Sequence, residues 1–97
     1  MSASSPDGAI TRIMKIVNEK GLHARASAKF VQLVEKYDAI VKVSRNDDSA
    51  GGDSIMGLMM LAAGIGTSIA VSATGPEAKQ VVEALDTLVA GKFGEEE

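Results

Sequence analysis

The chain has 97 residues, one domain's worth, and 45% of them are hydrophobic, enough for one core that must be aliphatic because only 3% are aromatic. A net charge of −3 offers no basic surface to neutralise nucleic-acid phosphates. Without cysteine there is no disulfide framework or thiolate metal site, and no apolar run is long enough to insert into a membrane.

Residues 1–9 read as a flexible lead-in, with neither the basic start nor the apolar core of a secretion signal, so a cytoplasmic protein is expected. Ile10 to Val17 is a β-branched-rich run ended by Asn18 to Gly21 and predicts a strand. Ala26, Phe30, Leu33, Val34 and Tyr37 then recur at helical spacing, with Lys29, Gln32, Glu35 and Lys36 on the other side. Ala39 to Arg45 is a second strand, Val41 and Val43 alternating with Lys42 and Ser44. Asn46 to Asp53 is turn chemistry with room for a short, weak strand. Ser54 to Ala63 reads as a helix stopped by Gly64.

Thr67 to Ala73 shows the clearest period-two alternation in the chain. Gly75-Pro76 introduces a last helix, with Pro76 in its first turn and a stripe of Ala78, Val81, Val82, Leu85, Leu88 and Val89 closing near Gly91. Residues 92–97 read as an acidic tail. This order of elements fits an α+β fold, a small and mostly antiparallel sheet with helices on one face.

The one histidine, His23, falls at or beside the N-cap of the first helix. A helix start carries unpaired N–H groups and a partial positive charge, which together favour an anion. Gly21 lets the chain turn just before it, and Arg25 can offer a planar cationic fork to phosphate oxygens. Imidazole is nucleophilic near neutral pH and readily hands on a phosphoryl group. A histidine in this position is more often a surface or capping residue, so spacing makes a phosphoryl site plausible without establishing it. With one histidine and no cysteine, neither a metal nor a cofactor is expected.

The wording of two segments goes further. Asn18-Glu-Lys-Gly-Leu-His-Ala-Arg-Ala-Ser-Ala-Lys-Phe-Val31 closely resembles the active-site region of the HPr family, the histidine-containing phosphocarriers of the phosphoenolpyruvate-dependent phosphotransferase system of sugar transport. Asp53-Ser-Ile-Met-Gly-Leu-Met-Met-Leu-Ala62 resembles that family's regulatory-serine region, in the right order and at a fitting separation. The resemblance covers residues 10–91 and implies the βαββαβα open-faced sandwich. It implies that His23 is phosphorylated by enzyme I, on the ring nitrogen facing the helix N-terminus, and passes the group to enzyme II A components. Arg25 matches the catalytic arginine. Ala26 stands where the family often has proline, which leaves the first turn less pre-set but adds an N–H.

The resemblance also implies that Ser54 is a regulatory site for an HPr kinase/phosphorylase, although Asp53 stands where the family often has Lys. Read alone, Ser54 is a good N-cap residue and nothing more. The Met-rich cluster after it defaults to core packing, yet a short helix cannot bury every face. Ile55, Met56 and Met59 are assigned outward as a partner-docking patch, with Leu58, Leu61 and Ala62 inward. The expected protein is a monomeric carrier without independent catalysis, since no second acid, base or metal cluster accompanies the histidine. Two alternatives stand beside it: a nitrogen-branch relative that signals through its phosphorylation state, and a small ligand-binding regulatory domain that has no need of His23.

Overall fold

The computed structural model describes residues 9–95. The alternating run near the middle of the chain becomes β4 (Ser68–Thr74), which buries Ile69, Val71 and Ala73 and turns Ser68, Ala70 and Ser72 the other way. Two strands flank it antiparallel: β1 (Ile10–Lys15), with Met14 opposite Ile69, and β2 (Ile40–Arg45), with Val43 opposite Val71. The turn-rich segment does form a short strand, β3 (Asp48–Gly51), paired with β2 as a hairpin. The sheet order is β1-β4-β2-β3.

Three helices complete the fold: α1 (Ala24–Val34), α2 (Ile55–Met60) and α3 (Ala78–Ala90). Ala26, Phe30, Val31 and Val34 of α1 and Val81, Val82, Leu85 and Val89 of α3 meet the inner sheet face in one aliphatic core. α2 packs on α1 and β3. The helices therefore share one face, and the other stays open to solvent. On the open side Thr11 and Ser72 share a hydroxyl hydrogen bond of 2.8 Å, and Ile13 and Ile40 lie exposed. This is the open-faced α+β sandwich expected from the order of elements.

Several boundaries differ from the sequence reading. β1 ends at Lys15, although Ile16 remains in the core and still donates to the Thr67 carbonyl at 2.8 Å while accepting from the Gly66 N–H. α2 stops at Met60, earlier than Gly64, because Ala62 takes a left-handed φ of 54° and turns out to solvent. Ala62 is thus not an inward residue. Pro76 precedes α3, whose N-cap is Glu77. The lead-in assigned to residues 1–9 lies, apart from Ala9, outside the described residues.

The largest difference is at the end of the chain. The segment read as tail from residue 92 packs through Glu95, and Glu96 and Glu97 lie outside the described residues. A 3₁₀ turn at Lys92–Gly94 follows α3, with Lys92, Phe93 and Gly94 all at positive φ (60°, 56° and 79°). Such backbone costs a non-glycine residue about 1–2 kcal/mol. Phe93 compensates by burying its ring completely, and Lys29 Nζ donates to its carbonyl at 2.6 Å. The chain end is hooked back onto α1.

Candidate functional site

The loop from β1 to α1 is tied down on both sides of Gly21. Asn18, fully buried, donates from Nδ2 to the Gly21 carbonyl at 2.9 Å. Leu22, also buried, donates its N–H to the Ala63 carbonyl at 3.0 Å, and Ser27 Oγ donates to the Leu22 carbonyl at 3.2 Å. Gly21 sits at φ 65°, and a Cβ there would lie 2.4 Å from the Ala63 carbonyl oxygen. No other residue fits this approach of two backbones.

The tethered loop delivers His23 as the N-cap of α1, in extended conformation. Its carbonyl accepts from the Ser27 N–H, but its ring makes no capping bond. The N–H groups of the first turn therefore remain available at the positive end of an 11-residue helix. The ring is partly exposed, at 27%. It opens into a cleft of about 330 Å³ lined by Lys20, His23, Ala24, Arg25 and Glu95. Arg25 is exposed and makes no hydrogen bond or ion pair among the described residues. Two cations, helix N–H groups and an accessible imidazole thus converge on one opening, which suits a tetrahedral dianion.

Glu95 and Asn18 complete the cluster, and neither was foreseen as part of it. The C-terminal hook brings the Glu95 carboxylate to His23, where Oε2 is hydrogen-bonded to Nε2. Its other oxygen, Oε1, accepts from Asn18 Nδ2 at 3.0 Å. Burial acts to raise the Glu95 pKa. Hydrogen bonds from His23 and Asn18, with the charges of His23 and Lys20, outweigh it and hold the carboxyl below its ordinary range. The sequence carried one faint signal, a Phe between glycines (Gly91-Lys-Phe-Gly94) in a chain with two phenylalanines. An aromatic so placed argues for packing and against a solvated tail.

Ser54 lies at the start of α2 and is half-buried. Its Oγ accepts from the Gly57 N–H at 2.9 Å, so it caps the helix and Asp53 does not compete. Behind it, Leu58 and Leu61 are buried, while Ile55, Met56 and Met59 are exposed, as are Met60 and Ile65. Met60 belongs to the Met-rich cluster but was not among the residues assigned outward, and Ile65 was not anticipated. The bond between Leu22 and Ala63 ties the His23 loop directly to the segment following α2. Among the described residues no helix is long and apolar enough to cross a membrane, and no group of three metal-ligating side chains is found.

Comparison with known proteins places this arrangement. The family model described as the PTS HPr component phosphorylation site matches residues 10–91. The phosphocarrier protein HPr of Cupriavidus necator is 47% identical, over 91% of this chain and 99% of that one. The phosphocarrier protein NPr of Shewanella violacea is 35% identical, over 89% of this chain and 94% of its own. Among solved structures, HPr-C-His from Thermoanaerobacter tengcongensis superposes with a TM-score of 0.86 at 35% identity, covering 91% of this chain and 99% of the other.

Proposed function

This chain belongs to the HPr family of phosphocarriers, and on that premise we propose that His23 accepts a phosphoryl group from enzyme I, charged by phosphoenolpyruvate, and passes it to an enzyme II A component. The observation that carries the reading is the placement of His23 at the start of α1, its ring unused for capping and open to a cleft shared with Arg25. A free ring nitrogen attacks the phosphorus of the donor phosphohistidine. One N–P bond forms as the other breaks, and the bond pair returns to the donor ring. Arg25, unpaired among the described residues, swings onto the phosphoryl oxygens as a bidentate donor. The first-turn N–H groups supply fixed dipoles for the same charge. The carrier needs no metal or organic cofactor, performs no catalysis of its own, and acts as a cytoplasmic monomer.

The exposed Ile55, Met56 and Met59 give partners a flexible apolar surface to dock on. Ser54 phosphorylation by an HPr kinase/phosphorylase would add about two negative charges beside that patch and weaken enzyme I binding. Ser54 Oγ accepts from the Gly57 N–H, so the phosphate would form at the N-terminus of its own helix.

Incubation with enzyme I and phosphoenolpyruvate tests the carrier. The expected product is an acid-labile, base-stable phosphate that His23→Ala abolishes. A wild-type protein that gains none, or a variant that gains it equally, would overturn the reading. For Ser54, ATP and a cognate kinase should give an acid-stable phosphate lost in Ser54→Ala. The similarity to an NPr supports a second reading, a regulatory carrier of the nitrogen branch. Comparing charging by the enzyme I of each branch separates the two.

A further inference from the structure

The hydrogen-bond pattern around Glu95 bears on which nitrogen of His23 reacts. An ionised carboxylate can only accept hydrogen bonds. Glu95 takes one donor at each oxygen, Asn18 Nδ2 at Oε1 and the His23 ring at Oε2. In the neutral ring the single proton must then lie on Nε2, and Nδ1 keeps its lone pair. Asn18 leaves no freedom in this arrangement. It is fully buried, and both acceptors available to its Nδ2, the Gly21 carbonyl and Glu95, are engaged. Its Oδ1 has no partner among the described residues, so the amide is oriented entirely by what its Nδ2 donates to. Asn18 thus aims Glu95, and Glu95 aims the ring.

We propose that Glu95 is a positioning residue that selects the phosphoryl acceptor atom, holding Nε2 of His23 as an N–H donor so that Nδ1 is the nucleophile. The inference rests on His23 being the acceptor, as proposed above. Electrons and protons balance without a further base. The Nδ1 lone pair forms the new N–P bond, the donor's N–P bond returns its pair to the donor ring, and the Nε2 proton stays in place against Glu95. The same carboxylate supports the cationic phosphoimidazole that results, whose N–P bond is the more labile form to hand on. A carboxylate that orients a histidine and fixes its tautomer is a recurrent device in acyl transfer and at metal sites. Here it is brought in by a three-residue left-handed hook from 72 positions away.

The test uses phosphoramidate, a small phosphoryl donor that needs no partner enzyme, on the folded full chain. The two ring-phosphate isomers are resolved by phosphorus NMR or by chromatography after alkaline digestion. Wild-type protein should yield the Nδ1 isomer alone. Glu95→Ala should yield a mixture with the Nε2 isomer. Glu95→Gln, which keeps one acceptor oxygen for the two donors Asn18 Nδ2 and His23 Nε2–H, should give a selectivity between those of wild type and Glu95→Ala. An isomer ratio unchanged in Glu95→Ala, or wild-type phosphate on Nε2, would overturn the proposal. Loss of all ring phosphate in His23→Ala and failure to charge with enzyme I bear on the carrier reading instead, so the two can fail separately.

Discussion

Replacing Phe93 with Ala tests whether the chain end is structure or tail. The ring is wholly buried, and removing such a side chain costs about 3–5 kcal/mol in transfer and cavity terms. Part is returned if the hook lets go, because Lys92 and Phe93 both sit at left-handed φ, at about 1 kcal/mol each. The net loss expected is about 1–3 kcal/mol, a sizeable share of the roughly 5–15 kcal/mol that stabilises a domain of this size. Urea unfolding at neutral pH should show it as a lower midpoint, and thermal unfolding as a Tm drop on the order of 5–20 °C. The His23 ring resonances should shift as they do in Glu95→Ala, since release of Phe93 withdraws the carboxylate. A loss under about 0.5 kcal/mol, the size of an ordinary surface change, would refute the packing described for residues 92–95.

Gly21→Ala should destabilise by more than about 2 kcal/mol in urea unfolding, because it combines a positive φ with a Cβ 2.4 Å from the Ala63 carbonyl oxygen. Ser54→Ala should cost about 1 kcal/mol through the lost N-cap bond to Gly57, in the same assay and without any kinase present. The Glu95 carboxyl is held below its ordinary pKa in the folded protein, so its contribution is present above the unfolded value and disappears as pH falls through the folded one. Wild type should therefore exceed Glu95→Gln in stability at pH 7, and the difference should begin to shrink as pH falls through the unfolded carboxylate value, about 4.3, and vanish only below the folded one. A difference that does not shrink at all as pH falls from 7 through the carboxylate range would place its source elsewhere than this ionisation.

Much of the fold was legible because its core residues obey simple periods. Ile69, Val71 and Ala73 alternate, and Ala26, Phe30 and Val34 recur every four residues, so burial on one side follows directly. His23 and Arg25 were legible as a pair because both belong to the same helix start, where local rules apply. The departures share one cause, backbone that leaves the regular regions. Ala62 ends α2 early by adopting a conformation usually given to glycine, and no period foretells that. Lys92 and Phe93 do the same, so Glu95 read as one of three solvated glutamates when its carboxylate lies against the histidine. Contacts such as His23 with Glu95, or Asn18 with Glu95, exist only because the hook closes across the sequence.

The position of β4 sets an order on how the molecule can come together. Its two neighbours in the sheet are β1 and β2, and only β2 has another partner, through the hairpin with β3. Residues 10–15 pair only with residues 68–74, across a longer stretch of chain than separates those residues from β2. The first strand made is the last to gain its ladder, and closing that long loop carries its entropy before any pairing rewards it. Folding should therefore start from the β2–β3 hairpin and the helices. The β1 amides should be the last of the sheet to gain protection from hydrogen exchange. The loop that carries His23 hangs between β1 and α1, so the cleft around His23 should take shape only at that final step.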